Sequence, residues 1–139
     1  MYRRLYAMGA AVVAAGALVP AGMANAAGTY HVVVTCTVPK FQSERQLAPN
    51  HCLNYVPDGT QTFTAKVTNS NGRAVSGVRV TWSDNSTKAA FRAGNNPCTT
   101  GSNGTCSDEL VVRSPRRGME VTVKATAGGS SGVGYLSFR

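Results

Sequence analysis

Two histidines, His31 and His51, six carboxylates and four cysteines are the side chains here that could do acid–base, nucleophilic or metal chemistry. An active site needs such groups to converge with tuned proton affinities. Neither histidine lies near a Gly-x-Ser-x-Gly elbow. The carboxylates Glu44, Asp58, Asp84, Asp108, Glu109 and Glu120 are scattered, and none sits in the dense Asp/Asn ladder of a calcium loop. Asp108 and Glu109 are adjacent, so in a strand they point to opposite faces and cannot act as an acid/base pair. No catalytic residue is nominated. The expectation is a protein that is not an enzyme and carries no cofactor and no metal.

The cysteines are Cys36, Cys52, Cys98 and Cys106. Four cysteines in an exported chain read as two disulfides, with three connectivities open. Pairing of sequence neighbours, Cys36 with Cys52 and Cys98 with Cys106, is expected because each pair flanks a loop-like insert. Zinc is disfavoured, since the tight C-x(2–4)-C spacing of structural sites is missing.

Positive charge is the feature most open to a functional reading. The formal net charge is +8. "VRSPRRG" gathers Arg113, Arg116 and Arg117 around one turn. Lys66, Arg73, Arg79 and Lys124 fall on expected outward faces. Such a field suits anionic cell-wall polymers, extracellular nucleic acid or acidic glycans; the plain alternative is solubility. No aromatic pair or recognition helix for specific nucleic-acid reading is present.

These residues need a scaffold, and its elements alternate with period two. In "TQTFTAKVT", Gln61, Phe63, Ala65 and Val67 share one face, with Thr60, Thr62, Thr64, Lys66 and Thr68 on the other. Asn71-Gly72 marks a tight turn. In "VRVTW", Val78, Val80 and Trp82 face inward. The chain therefore places two neighbouring strands around a Gly-containing link. "TYHVVVTCTV" gives a first strand; Ala89–Arg92 a short one. "CTTGSNGTC" looks like a hairpin bracketed by cysteines. "TCSDELVVRS", with Leu110 and Val112 inward, "MEVTVKATA", with Val121, Val123 and Ala125 inward, and "VGYLSFR" complete the set. Residues 39–51, with Pro39 and Pro49 and no period, read as a long insert tied by a disulfide. The expected fold is all-β: an immunoglobulin-like β-sandwich of about seven strands with two disulfides. The sequons at Asn85 and Asn103 argue only for exposed loops.

In order, "VPDGTQTFTAKVTNSNGRAVSGVRVTWS", "CTTGSNGTCSDELVV" and "GMEVTVKATAGG" resemble the bacterial Ig-like domain of the invasin and intimin type. The matching positions are Asp58-Gly59, Asn69 to Gly72, Ala74 to Val78, Thr100 to Gly104 and Gly118 to Ala125, so the resemblance covers about residues 56–139. It implies a sandwich fold and, as a general theme, adhesion or cell-surface display. Cys98 and Cys106 around the hairpin, the insert before the domain, and the single copy all depart from that family's pattern. No binding residue carries over. An antibody-type domain is disfavoured because inward positions such as Ala65 and Val123 are not cysteines.

Residues 1–26 read as a secretory signal peptide: Arg3-Arg4, a weakly apolar run, then Ala24-Asn25-Ala26. Residues 27–55 then form an N-terminal strand with the tied insert, and 56–139 the Ig-like domain. The expected location is secreted, extracellular or at the cell surface, with no membrane span in the mature chain. The expected partner is a cell-surface or envelope component, met electrostatically through Arg113, Arg116 and Arg117. A secreted inhibitor or a structural partner acting through the insert is the alternative. Ligand identity and oligomeric state stay open.

Overall fold

Alternation along four long strands sets the architecture. A computed structural model describes residues 29–38 and 44–139. The signal-peptide reading lies outside the described residues, as does the part of the insert at 39–43. Ten strands follow in order: β1 His31–Cys36, β2 Arg45–Ala48, β3 His51–Asn54, β4 Thr60–Thr68, β5 Arg79–Asp84, β6 Ala89–Phe91, β7 Cys98–Thr99, β8 Thr105–Val112, β9 Glu120–Ala127 and β10 Ser130–Phe138. A single 3-10 turn spans Ala93–Asn95, and the described residues hold no α-helix.

The strands form two sheets, ordered β1-β4-β8-β6 and β2-β3-β10-β9-β5-β7. With β1, β4, β5, β6, β8, β9 and β10 lettered A to G, the sheets read ABED and CFG. That is the immunoglobulin arrangement. These seven are the strands expected from sequence. The count of ten corrects the expected seven: β2, β3 and the two-residue β7 are additional. β2 and β3 lie in and just after the insert, whose prolines and lack of period gave no strand signal. They are four residues each, too short to display a period. Their ladder comes from tertiary context: β3 runs parallel to β10 and antiparallel to β2, with a shift between Gln46 and Ala48.

The inward residues of both sheets make one core. Phe63, Ala65, Val67, Val80, Leu110, Val121, Val123, Ala125 and Leu136 are fully buried. β4 and β5 are consecutive yet lie in different sheets. The link between them therefore crosses the sandwich, with Gly72 at φ 74°. The same holds for the cysteine-bracketed turn, since β7 and β8 are in opposite sheets. Gly104, at φ 75°, closes it, and an added Cβ there would lie 2.7 Å from the Val67 carbonyl oxygen. Gly134 lets β10 approach β1; a Cβ would lie 2.8 Å from Val34 Cγ1.

Trp82 is anchored from three sides. Its ring stacks on Phe91 of the opposite sheet at 5.1 Å between centroids. Its Nε1 donates to Cys98 Sγ at 3.3 Å. Its backbone N–H donates to Asn96 Oδ1, and Asn96 Nδ2 donates to its carbonyl, both at 2.9 Å. Asn96 thus serves as a side-chain substitute for a ladder partner.

Both disulfides form between sequence neighbours, Cys36–Cys52 and Cys98–Cys106. Each joins the two sheets: β1 to β3 on one flank, β7 to β8 on the other. The closed loops span sequence separations of 16 and 8 residues. Loop-closure entropy makes these worth about 3 and about 2.5 kcal/mol. Replacing Cys36 and Cys52 by Ser should lower the unfolding free energy in urea by about 3 kcal/mol, and the Cys98/Cys106 pair by slightly less. An unchanged midpoint in either variant would contradict this.

One acid sits in the core. Asp108 faces inward opposite Phe63 in the β4–β8 register and is 2% exposed. Its Oδ1 accepts the Glu109 N–H at 2.7 Å, whereas Oδ2 has no partner. Burial raises its proton affinity above the ordinary carboxylate value, outweighing that backbone hydrogen bond. A raised folded value favours the folded state at low pH. That contribution is lost as pH rises through the folded value. Asp108→Asn should therefore stabilise the protein at pH 7 by on the order of 1 kcal/mol. The gain should shrink towards zero below about pH 4. Denaturant midpoints across pH check this; a pH-independent difference would contradict it.

Candidate functional site

Cations collect at one end of the sandwich because several strand ends meet there. β8 ends at Val112, and the turn to β9 carries Arg113, Arg116 and Arg117, all exposed. The turn is fixed by its backbone. Arg113 N–H donates to the Lys88 carbonyl at 2.8 Å, Met119 N–H to Arg116 at 3.1 Å, and Gly118 N–H to Phe138 at 2.8 Å. The first of these bonds brings exposed Lys88, ahead of β6, beside Arg113. The last brings the end of β10, and hence exposed Arg139, to the same end. Arg139 N–H in turn donates to the Asn54 carbonyl at 2.9 Å.

Five basic residues therefore belong to this end, and none has an ion-pair partner among the described residues. Lys88 and Arg139 were missed in sequence because 25 and 22 residues separate them from Arg113 and Arg117; only strand pairing unites them. The other outward cations do not join. Lys66 lies on the outer face of the first sheet, Arg79 and Lys124 on that of the second, and Arg73 in the link at the opposite end.

Two acidic residues flank the basic end. Asp84, at the end of β5, accepts the Ser86 N–H at 2.9 Å. Glu120, at the start of β9, accepts the Ser137 hydroxyl at 3.1 Å. Ser137 Oγ in turn lies 2.7 Å from His51 Nε2. Serine, histidine and glutamate thus meet, but in the wrong order for nucleophile activation. The serine proton is directed at the carboxylate, so His51 Nε2 donates rather than accepts. In a hydrolytic triad the histidine stands between serine and acid and takes the serine proton.

A second polar constellation lies beside β4. A cavity of about 230 Å³ is lined by Thr37, Glu44, Asp58, Thr60, Gln61, Thr62 and Glu109. Burial, then the hydrogen bond and the charge of Asp58, push the Glu44 carboxyl up to about 7. The same hydrogen bond from Glu44 holds Asp58 below its ordinary value, helped by the Thr60 N–H and hydroxyl, which both reach Asp58 Oδ1. Glu109 is paired with Arg92. Sequence reading missed this pairing because Glu44 and Asp58 come from different loops. Among the described residues, no three His, Cys, Asp or Glu side chains form a ligand cluster. No helix among them is long and apolar enough to cross a membrane.

No family model and no curated protein matches the chain. Among solved structures, the chain is similar to the D00-D0 domain of intimin, at 21% identity and a TM-score of 0.49. That similarity covers 74% of this chain and 45% of the other, so the chain spans under half of that neighbour's length.

Proposed function

We propose that the protein is a secreted, non-catalytic Ig-like module that attaches to anionic polymers of a bacterial envelope, or to acidic glycans, through the basic end of its sandwich. The observation that carries this reading is the convergence of Lys88, Arg113, Arg116, Arg117 and Arg139 at one end, with no ion-pair partner among the described residues. Guanidinium groups match phosphate and carboxylate geometry and are weakly hydrated, so they give up water readily to such ligands. The rigid scaffold fixes their backbone positions, so binding has only the side chains left to order. Two disulfides suit an oxidising compartment outside the cytoplasm.

One observation favours a second reading, in which the insert is the presenting element of an inhibitor or structural partner. β2 is an edge strand, and its Leu47 side chain is 55% exposed. The Cys36–Cys52 bridge and the Gln46 Nε2 bond to the Cys36 carbonyl, 2.8 Å, hold that strand in place. An exposed edge with an apolar side chain can accept a partner strand.

Salt separates the two. Binding of the purified protein to isolated bacterial cell wall should saturate at low salt. It should weaken as the screening length falls from about 30 Å at 0.01 M to about 8 Å at 0.15 M. Reversing Arg113, Arg116 and Arg117 to Glu should weaken it roughly tenfold or more. Absence of binding at low salt would overturn the electrostatic reading. Salt-resistant binding that is lost on Leu47→Asp would favour the insert.

A further inference from the structure

We infer that the Cys98–Cys106 disulfide is a thiol-exchange site, opened in the folded protein by a dithiol reductant that attacks Cys106 and displaces Cys98, while Cys36–Cys52 is purely structural. The site is independent of the basic end and of the insert. Burial separates the two bridges. Cys36 and Cys52 are 1% and 0% exposed and belong to the core. Cys98 and Cys106 are only half-buried and pack at its margin. Their chain neighbours Pro97, Thr99 and Ser107 are exposed, as are Gly101, Ser102 and Asn103 in the turn between them. Exchange requires a thiolate to reach a sulfur, so the accessible bridge is the labile one.

Trp82 sets the direction of attack. Its Nε1–H donates to Cys98 Sγ at 3.3 Å, and the ring is held in place by stacking on Phe91. Among the described residues, no donor reaches Cys106 Sγ. A hydrogen bond to sulfur favours the charged thiolate over the neutral form. A better-stabilised thiolate leaves faster, so Cys98 is the leaving group and Cys106 takes the nucleophile. The exchange balances. One thiolate of the reductant bonds to Cys106 Sγ, the Cys98–Cys106 bond breaks, and Cys98 takes the electron pair. The second thiol of the reductant then displaces Cys106 and closes the reductant's own disulfide. Two electrons pass to the protein, and the reductant's two thiol protons are balanced by those on Cys98 and Cys106.

The fold outlasts the opening because each cysteine is held by its own sheet. β7 is paired with β5, Arg79 with Thr99 and Val80 with Cys98. Beyond it, the Thr100 N–H donates to the Val78 carbonyl at 2.9 Å, and Thr100 Oγ1 accepts the Val78 N–H at 2.9 Å while donating to the Val75 carbonyl at 2.7 Å. β8 is paired with β4 from Thr60–Val111 to Lys66–Thr105. The Cys36–Cys52 bridge still joins the sheets on the other flank. Reduction therefore frees the turn at 101–104 from its cross-sheet tie and leaves the sandwich packed.

Timed reduction of the full, disulfide-bonded chain tests this. Samples drawn from dithiothreitol at pH 8, without denaturant, are quenched in acid, alkylated and mapped by mass spectrometry. Cys98 and Cys106 should be labelled at least about tenfold faster than Cys36 and Cys52. The circular dichroism spectrum should hold while only the first pair is open. With glutathione in place of dithiothreitol, the mixed disulfide should sit on Cys106, with Cys98 free. Trp82→Phe removes the donor and should slow the opening about threefold. Where that variant does not fold, the position of the glutathione adduct in the unaltered protein decides the direction of attack. Equal rates for the two bridges, earlier loss of Cys36–Cys52, or opening only together with global unfolding would overturn the inference. So would an adduct on Cys98, or an unchanged rate in folded Trp82→Phe.

Discussion

Everything in this structure depends on keeping two sheets face to face. The inner faces carry many small side chains, Ala65, Ala125 and Ala127 beside Val34, Val67, Val80, Val121 and Val123, with Phe63, Trp82, Leu110, Leu136 and Phe138 as the large ones. A core of that composition buries limited apolar area per residue, and a domain of this size has little stability to spare. The two disulfides answer that constraint by position. One joins the sheets where β1 passes β3, the other where β7 passes β8. Between them, Trp82 stacks on Phe91 and donates to Cys98 Sγ, so the largest core side chain is tied to one of the bridges.

With the sheets locked, the ends of the strands become fixed platforms. The basic end needs no long side-chain scaffold because backbone hydrogen bonds place its members. Lys88 is set by Arg113, and Arg139 by Asn54 and the neighbouring Gly118–Phe138 bond. The acidic cavity is built similarly, from loop residues meeting at the start of β4. Local convergence of cations is the feature on which the proposed attachment to a polyanion rests.

Period-two patterns made most of the fold legible. Gln61, Phe63, Ala65 and Val67 were assigned inward and are buried, as are Val78, Val80, Trp82, Leu110, Val112, Val121, Val123 and Ala125. Both cysteine pairings match the expectation drawn from the loop-like inserts they flank, one of the three connectivities that the sequence leaves open. Three strands were not legible, since β2, β3 and β7 are too short for a period and exist because neighbouring strands offer ladder partners. Asp108 shares the parity of Leu110 and Val112 and is buried with them, a position that its charge gave no reason to expect. Of the basic end, the three turn arginines were legible because they are close in sequence. Lys88 and Arg139, like the Glu44–Asp58 pair, arise only from long-range pairing.

The most direct test of the account is an amide chemical-shift map of the 15N-labelled protein titrated with a soluble polyanion, such as long-chain polyphosphate. The account predicts perturbations confined to residues 86–89, 113–119 and 138–139, with the opposite end at 69–77 and 100–104 unmoved. Perturbations spread evenly over Lys66, Arg79 and Lys124, or confined to the insert, would contradict it.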